Sequence, residues 1–218
     1  KAVHIGDDDA RTLSWREAEL PSLGAGEVLI EVAATAINRA DLLQRIGRYP
    51  PPKGVTEVMG LEAAGRVVAL GPEVEAGVAV GDEVCCLLAG GGYGRYVACP
   101  QEQILPRPAK LSLQEAAALP EAIFTAYLNL YMLGGLGEGE HALVHAGASG
   151  IGTAAIQICR ALGNPVHITA SAGKLVACAE LGATTTIDRQ SGDFVAEVRE
   201  ATEGKGVSTI LDPVGGAY

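Results

Sequence analysis

The chain of 218 residues is 48% hydrophobic and contains 29 glycines, enough apolar material to bury a substantial core in one large domain or two modest ones. Sixteen Lys plus Arg against 26 Asp plus Glu leave a formal charge of -10, so no sequence-wide positive field gathers phosphates and nucleic acid is disfavoured as a partner. No apolar run is long enough to span a bilayer, and residues 1–9 turn acidic where a signal peptide would become apolar, which implies a soluble cytoplasmic protein with no membrane partner.

Up to about residue 110 the sequence is written in short β-branched segments punctuated by glycine and proline. Residues 29–33, 65–70, 82–88 and 95–99 are the expected strands of a compact antiparallel unit. Ser112 followed by Glu115 forms a capping-box pattern, and an alanine run follows before Pro120 interrupts the chain. A domain junction near Leu119 therefore divides the chain into residues 1–118 and 119–218.

Beyond the junction the hydrophobic period changes. Helices are expected at 121–133, 151–162, 174–181 and 194–201, and strands at 141–146, 166–170, 184–187 and 207–211, with Gly163 and Gly182 closing two of the helices. Alternating strands and helices joined by short turns require a parallel sheet with helices on its faces, so the second part is an α/β, Rossmann-type doubly wound unit. Cys85, Cys86, Cys99, Cys159 and Cys178 are an odd set without CxxC spacing and read as reduced, buried small hydrophobes.

The strand expected at 141–146 runs directly into Gly147-Ala148-Ser149-Gly150-Ile151-Gly152 and then into an alanine-rich helix, the context that a dinucleotide fingerprint needs. Gly147 is expected to make the tight turn, Gly150 to let backbone amides reach a pyrophosphate, and Gly152 to pack helix on strand. Ile151 opens the helix whose N-terminus faces that negative charge. Ser149 replaces the middle glycine of the strict pattern, and its hydroxyl is a further phosphate donor. The bland alternative is a glycine-rich turn without a ligand.

NAD-binding chains usually carry a carboxylate after the second strand for the ribose 2′-hydroxyl, but residues 170–174 offer none. Ser171, Lys174 and Arg189 instead supply a hydroxyl and two cations suited to a 2′-phosphate, so NADPH is the expected cofactor. Lys174 also has an ordinary reading, as a solvated first-turn residue.

Residues 38–50, Asn38-Arg39-Ala40-Asp41 through Arg45, Gly47 and Tyr49-Pro50, match the signature NRADxxxRxGxYP. The chain thereby resembles the zinc-free, zeta-crystallin-like quinone oxidoreductases of the medium-chain dehydrogenase/reductase superfamily. The likeness continues through residues 60–65, 81–84, 117–126, the GASGIG loop and 211–216, so it covers essentially the whole sequence. It implies a GroES-like, β-rich catalytic domain followed by a Rossmann domain. It also implies that Asn38, Asp41 and Tyr49 line the nicotinamide end of the site, while Thr125, Val214 and Gly215 run past the nicotinamide ribose. On spacing alone Asn38 and Asp41 are equally loop caps, Tyr49 a surface aromatic, and Thr125 a helical threonine bonded to its own turn.

Zinc-dependent members of that superfamily place a cysteine near the Asn38 region and a histidine in a GHE motif, where this chain has Leu61. Residues 87–96 hold no cysteine quartet, and His141 and His145 lack a third ligand, so no metal is expected. Chemistry then rests on hydride transfer to an electron-poor acceptor such as a quinone. Reduction of activated alkenes and a non-catalytic NADPH-binding role are the competing functions. By the same resemblance, members continue past the fourth Rossmann strand, so the chain reads as truncated at its C-terminal end and as a homodimer or homotetramer when complete.

Overall fold

The computed structural model describes residues 1–190 and 193–216. The chain divides into two compact units, Lys1–Glu121 and Ala122–Tyr218.

In the first unit, β1 (Ala2–Ile5) and β2 (Leu13–Arg16) form an antiparallel pair. The main sheet is built from β3 (Glu27–Ala34), β4 (Glu62–Leu70), β5 (Glu83–Leu87), β6 (Tyr96–Pro100) and β7 (Ile104–Pro106). Its order is β6-β3-β4-β5-β7, antiparallel throughout. Alternate side chains fall on opposite faces of such a strand. Cys86 accordingly joins Val28, Ile30, Val67 and Val97 in one core, while its neighbour Cys85 packs with Ala64, Ala116 and Ala117. The segment between β3 and β4 carries α1 (Arg39–Arg45), and α2 (Leu113–Ala116) follows the sheet. The expected capping box is present at α2, where Ser112 Oγ accepts from the Glu115 amide at 3.2 Å.

Helix α3 (Pro120–Tyr127) begins at Pro120, which stands in its first turn rather than breaking it, because a first-turn proline sacrifices an amide that has no helical acceptor. Residues Leu128–Leu133 continue it as a π-helix, so the helix expected at 121–133 changes winding halfway.

The second unit holds β8 (Ala142–Val144), α4 (Gly150–Leu162), β9 (Val166–Ala170), α5 (Leu175–Leu181), β10 (Thr185–Asp188), α6 (Phe194–Ala201) and β11 (Thr209–Leu211). The four strands are parallel in the order β10-β9-β8-β11. Both faces are covered. Ala142, Val144, Ile168, Ile156 and Cys159 form a core on the side of α4, and Leu143, Ile187 and Val198 form another on the side of α6. A parallel sheet buried on both faces is the doubly wound arrangement expected from the sequence. Among the described residues no helix is long and apolar enough to cross a membrane.

Candidate functional site

β8 and β11 are neighbours although β9 and β10 intervene in sequence, so the chain reverses its direction of winding between them. In open α/β sheets ligands bind outside the carboxyl ends of the strands at such a switch point. A cleft of about 580 Å³ opens there, bounded by residues that follow β8, β9, β10 and β11. Of the sequence-predicted cofactor residues, Ser149, Ser171, Lys174, Arg189, Val214 and Gly215 line it together.

The turn from β8 into α4 is made differently from what the sequence suggests. Ala146, not Gly147, takes the left-handed conformation, at φ 52°. Gly147 is required by packing instead, since a Cβ there would stand 2.6 Å from Ile168 Cβ on β9. Gly152 is also required by a close approach, but to the turn rather than to a strand, because its Cβ would lie 2.5 Å from the Ala146 carbonyl oxygen. Gly150 faces open space, with nothing within 4 Å of the same imagined atom, and so leaves backbone approachable by a ligand. Ser149 is the N-cap of α4, its Oγ accepting from the Gly152 amide at 3.0 Å. Ile151 follows in the first turn and packs partly against the core on the α4 side.

At the ends of β9 and β10 the cleft wall carries two cations, Lys174 and Arg189, while Asp188, the last residue of β10, is outside the lining. Arg189 Nε donates to Ser171 Oγ at 3.3 Å, and Lys174 is exposed at the entry to α5. None of the residues lining the cleft is acidic, and among the described residues neither cation forms an ion pair with a carboxylate. After β11, Asp212 Oδ1 accepts from the amides of Val214 at 2.9 Å and Gly215 at 3.0 Å, fixing the turn that bounds the cleft. Those two N–H groups, helped by nearby His145, hold the Asp212 carboxyl below its ordinary value. His145 is buried with Nδ1 2.9 Å from Thr169 Oγ1, and burial depresses its pKa. Thr169 and Phe194 also line the cleft and escaped sequence reasoning, since nothing local marks a strand threonine or a first-turn phenylalanine as pocket wall.

Thr125 lies on α3 outside the residues that line the cleft, and its carbonyl accepts from Asn129 Nδ2 at 2.8 Å.

In the first unit Asn38 caps α1, and its backbone N–H donates to Asp41 Oδ2 at 2.7 Å. Asp41 Oδ1 accepts from the Gly60 amide at 3.2 Å, and the residue is 1% exposed. Its carboxylate is therefore engaged by two backbone donors. Asn38 Nδ2 donates to Glu62 Oε1 at 2.8 Å. Sequence reasoning placed no role on Glu62, Tyr93 or Glu121, yet the three surround Asp41 and Asn38. Burial, chiefly, raises the pKa of all three, and the Asp41 charge adds to each. Tyr49 stands apart from these hydrogen bonds and is 45% exposed.

Residues 24–109 match the alcohol dehydrogenase GroES-like domain, and residues 150–218 match the zinc-binding dehydrogenase model. The crystal structure of CurK enoyl reductase superposes with a TM-score of 0.87 at 32% identity, covering 99% of this chain and 67% of that one. The chain belongs to the medium-chain dehydrogenase/reductase superfamily.

Other members of the medium-chain dehydrogenase/reductase superfamily are similar over nearly the whole sequence. The quinone oxidoreductase of Coxiella burnetii has a TM-score of 0.83 at 28% identity, over 99% of this chain and 68% of its own. The synaptic vesicle membrane protein VAT-1 homolog of Rattus norvegicus is 40% identical over 98% of this chain and 52% of its own length. The chain thus spans about half the length of the curated relatives it first matches. The match to the GroES-like domain falls within the β-rich first unit and the zinc-binding dehydrogenase match within the parallel α/β second unit.

Proposed function

We propose that this chain carries the site of an NADPH-dependent quinone oxidoreductase that works without zinc. The observation that supports NADPH is the cleft after β9, where Ser171, Lys174 and Arg189 converge and no acidic residue lines the wall. A 2′-phosphate gains charge-assisted hydrogen bonds from that set, whereas a carboxylate in the same place would repel it. The cradle fits the rest of the dinucleotide as well: open space at Gly150, the N-terminus of the 13-residue α4, and a capped turn at Val214 and Gly215.

The chemistry supplied when NADPH is bound is hydride donation to an electron-poor acceptor. On this reading Ser149 and the first amides of α4 hold the pyrophosphate, while Asn38, Asp41 and Tyr49 shape the acceptor end, and Thr125 with Val214 and Gly215 borders the ribose next to the nicotinamide. Leu61 is a buried apolar side chain in the place of the zinc-binding histidine of zinc-dependent members, and it offers no lone pair to a metal. Within the superfamily, the NRADxxxRxGxYP segment points to the p53-inducible branch of the quinone oxidoreductases. The complete protein is proposed to be a cytoplasmic homodimer or homotetramer, with residues 1–118 as catalytic domain and 119–218 as coenzyme domain.

The similarity to an enoyl reductase favours a second reading, reduction of activated alkenes, because one hydride geometry serves both acceptors. Turnover of the full-length protein with NADPH and a panel of quinones and enones separates the two. Oxidation of NADPH with quinones is expected. Turnover with enones alone would transfer the chain to the alkene reductases, and saturable binding with no turnover would leave a non-catalytic NADPH-binding protein.

A further inference from the structure

Glu62 begins β4 and is 2% exposed. Both of its carboxylate oxygens are engaged by N–H donors: Oε1 accepts from Asn38 Nδ2 at 2.8 Å, and Oε2 accepts from the backbone amide of Glu121, in the first turn of α3, at 2.9 Å. Its backbone carbonyl accepts from Thr35 Oγ1 at 2.6 Å, so the residue is held from main chain and side chain alike. Among the described residues no Lys, Arg or His forms an ion pair with it. A carboxylate buried without a cation is a costly element for a fold to keep. The two amide donors stabilise the anion without neutralising it.

We propose that Glu62 is a positioning residue that fixes the orientation of the Asn38 carboxamide in the acceptor-reducing site, and that it does so only as the carboxylate anion. The proposal rests on the oxidoreductase reading, which places Asn38 in that site. An asparagine side chain presents a donor on one side and an acceptor on the other, and a half-turn exchanges them. A carboxylate accepts and cannot donate, so Glu62 selects the rotamer with Nδ2 inward and Oδ1 directed away. Protonation removes the selection. A neutral carboxyl carries an O–H, but both oxygens already face N–H groups, so the new proton meets a donor and one of the two hydrogen bonds is lost.

The surroundings put this change in a measurable range. Burial, the largest influence, raises the Glu62 pKa above its ordinary value of 4.5, and the neighbouring Asp41 adds to the rise, against the lowering effect of the two N–H donors. The titratable groups around it are Asp41 on α1, Glu121 on α3, Tyr93, and Cys85 and Cys86 on β5. The positioned state exists above the raised pKa and is lost as pH falls through it.

The test is the pH dependence of kcat/KM for a quinone acceptor in the full-length protein, compared with Glu62→Gln and Asn38→Ala. The wild type is expected to lose activity through an acid limb lying above the ordinary glutamate value. Glu62→Gln should lose that limb and about tenfold or more in kcat/KM, the scale at which small misplacements act, while its affinity for NADPH is unchanged. Asn38→Ala should lose the limb with Glu62 intact, and it carries the test if Glu62→Gln does not fold. An acid limb retained in either variant overturns the assignment while leaving the oxidoreductase reading in place. A wild type that turns over no acceptor at any pH overturns both.

Discussion

Arg189 and Ser171 are hydrogen bonded across the ends of two neighbouring parallel strands, the guanidinium Nε 3.3 Å from the hydroxyl oxygen. The contact tethers a flexible cation beside the cleft with its terminal nitrogens still available, and Lys174 stands one turn away. A phosphate held there meets a preorganised fork and a point charge.

Replacing Lys174 with glutamate is expected to weaken NADPH by about tenfold or more, since hydrogen bonds to charged groups contribute roughly 1.5–3 kcal/mol. NADH, which lacks the 2′-phosphate, should change little. Calorimetric titration with both nucleotides checks this, and equal losses would refute the phosphate pocket.

Two glycines of the α4 turn should respond differently in stability. Gly152→Ala forces a methyl group onto the Ala146 carbonyl and should cost about 1–3 kcal/mol, the usual range for overpacking. Gly150→Ala meets no protein atom within 4 Å and should leave Tm essentially unchanged while weakening NADPH. Melting curves with and without nucleotide separate the effects. A Gly150→Ala protein that binds as tightly as the wild type would mean that no ligand approaches that backbone.

Asp41 and Tyr49 should part company in the same way. Asp41→Ala removes the acceptor for the Asn38 and Gly60 amides and is expected to destabilise the first unit by about 1–3 kcal/mol, the cost of orphaned buried donors. Unchanged unfolding would show that these bonds contribute nothing.

For the half-exposed Tyr49, alanine should spare the fold and lower quinone turnover, read as kcat beside an unaltered denaturation midpoint. Identical kinetics would take Tyr49 out of the site.

The buried histidines make the second unit acid-sensitive. Burial lowers the pKa of His145 and His167 from 6.5, and for His167 the facing His141 lowers it further. His167 Nε2 stands 2.9 Å from His141 Nδ1, and its Nδ1 is 3.0 Å from Thr185 Oγ1. Below pH 6.5 the unfolded chain takes up protons that the folded chain refuses, so stability should fall as pH drops from that value towards the lowered one. Thermal melts between about pH 7 and about pH 5 should show the decline, and a His145→Gln, His167→Gln variant should flatten it. Parallel declines in both proteins would assign the acid sensitivity elsewhere.

Much of this architecture was legible in the chain itself, for reasons that differ by element. Strand β9 and helix α6 occupy the ranges expected of them, because each combines a clear period with sharp punctuation, Gly163 and the following Asn164-Pro165 before one and the Asp193 cap before the other. Strand β4 extends further back than expected, to Glu62, because Ala63 and Ala64 have little strand propensity and are recruited by pairing with β3 and β5. Strands β1, β2 and β7 were not expected at all. They are three or four residues long, too short for a period to stand out, and Leu13 and Trp15 on β2 are exposed, so no buried face marks that strand. In the candidate site, the residues after β8, β9 and β10 were readable because a βα turn concentrates its chemistry locally. Glu62 and Glu121 were not, since their relation to Asn38 arises only when segments 24 and 59 residues apart are brought together.

The neighbour relation of β8 and β11 also bears on how the molecule comes into being. Ala146 and Val214 border one cleft, yet the chain between them must first lay down β9, β10 and the helices α4, α5 and α6 before β11 can bring its ends together. Closure of so long a loop is entropically slow and is recovered only when the last strand docks. A nucleotide that needs both banks of the cleft has no partial host along the way. It would recognise the finished sheet alone and, by mass action, protect it from unravelling.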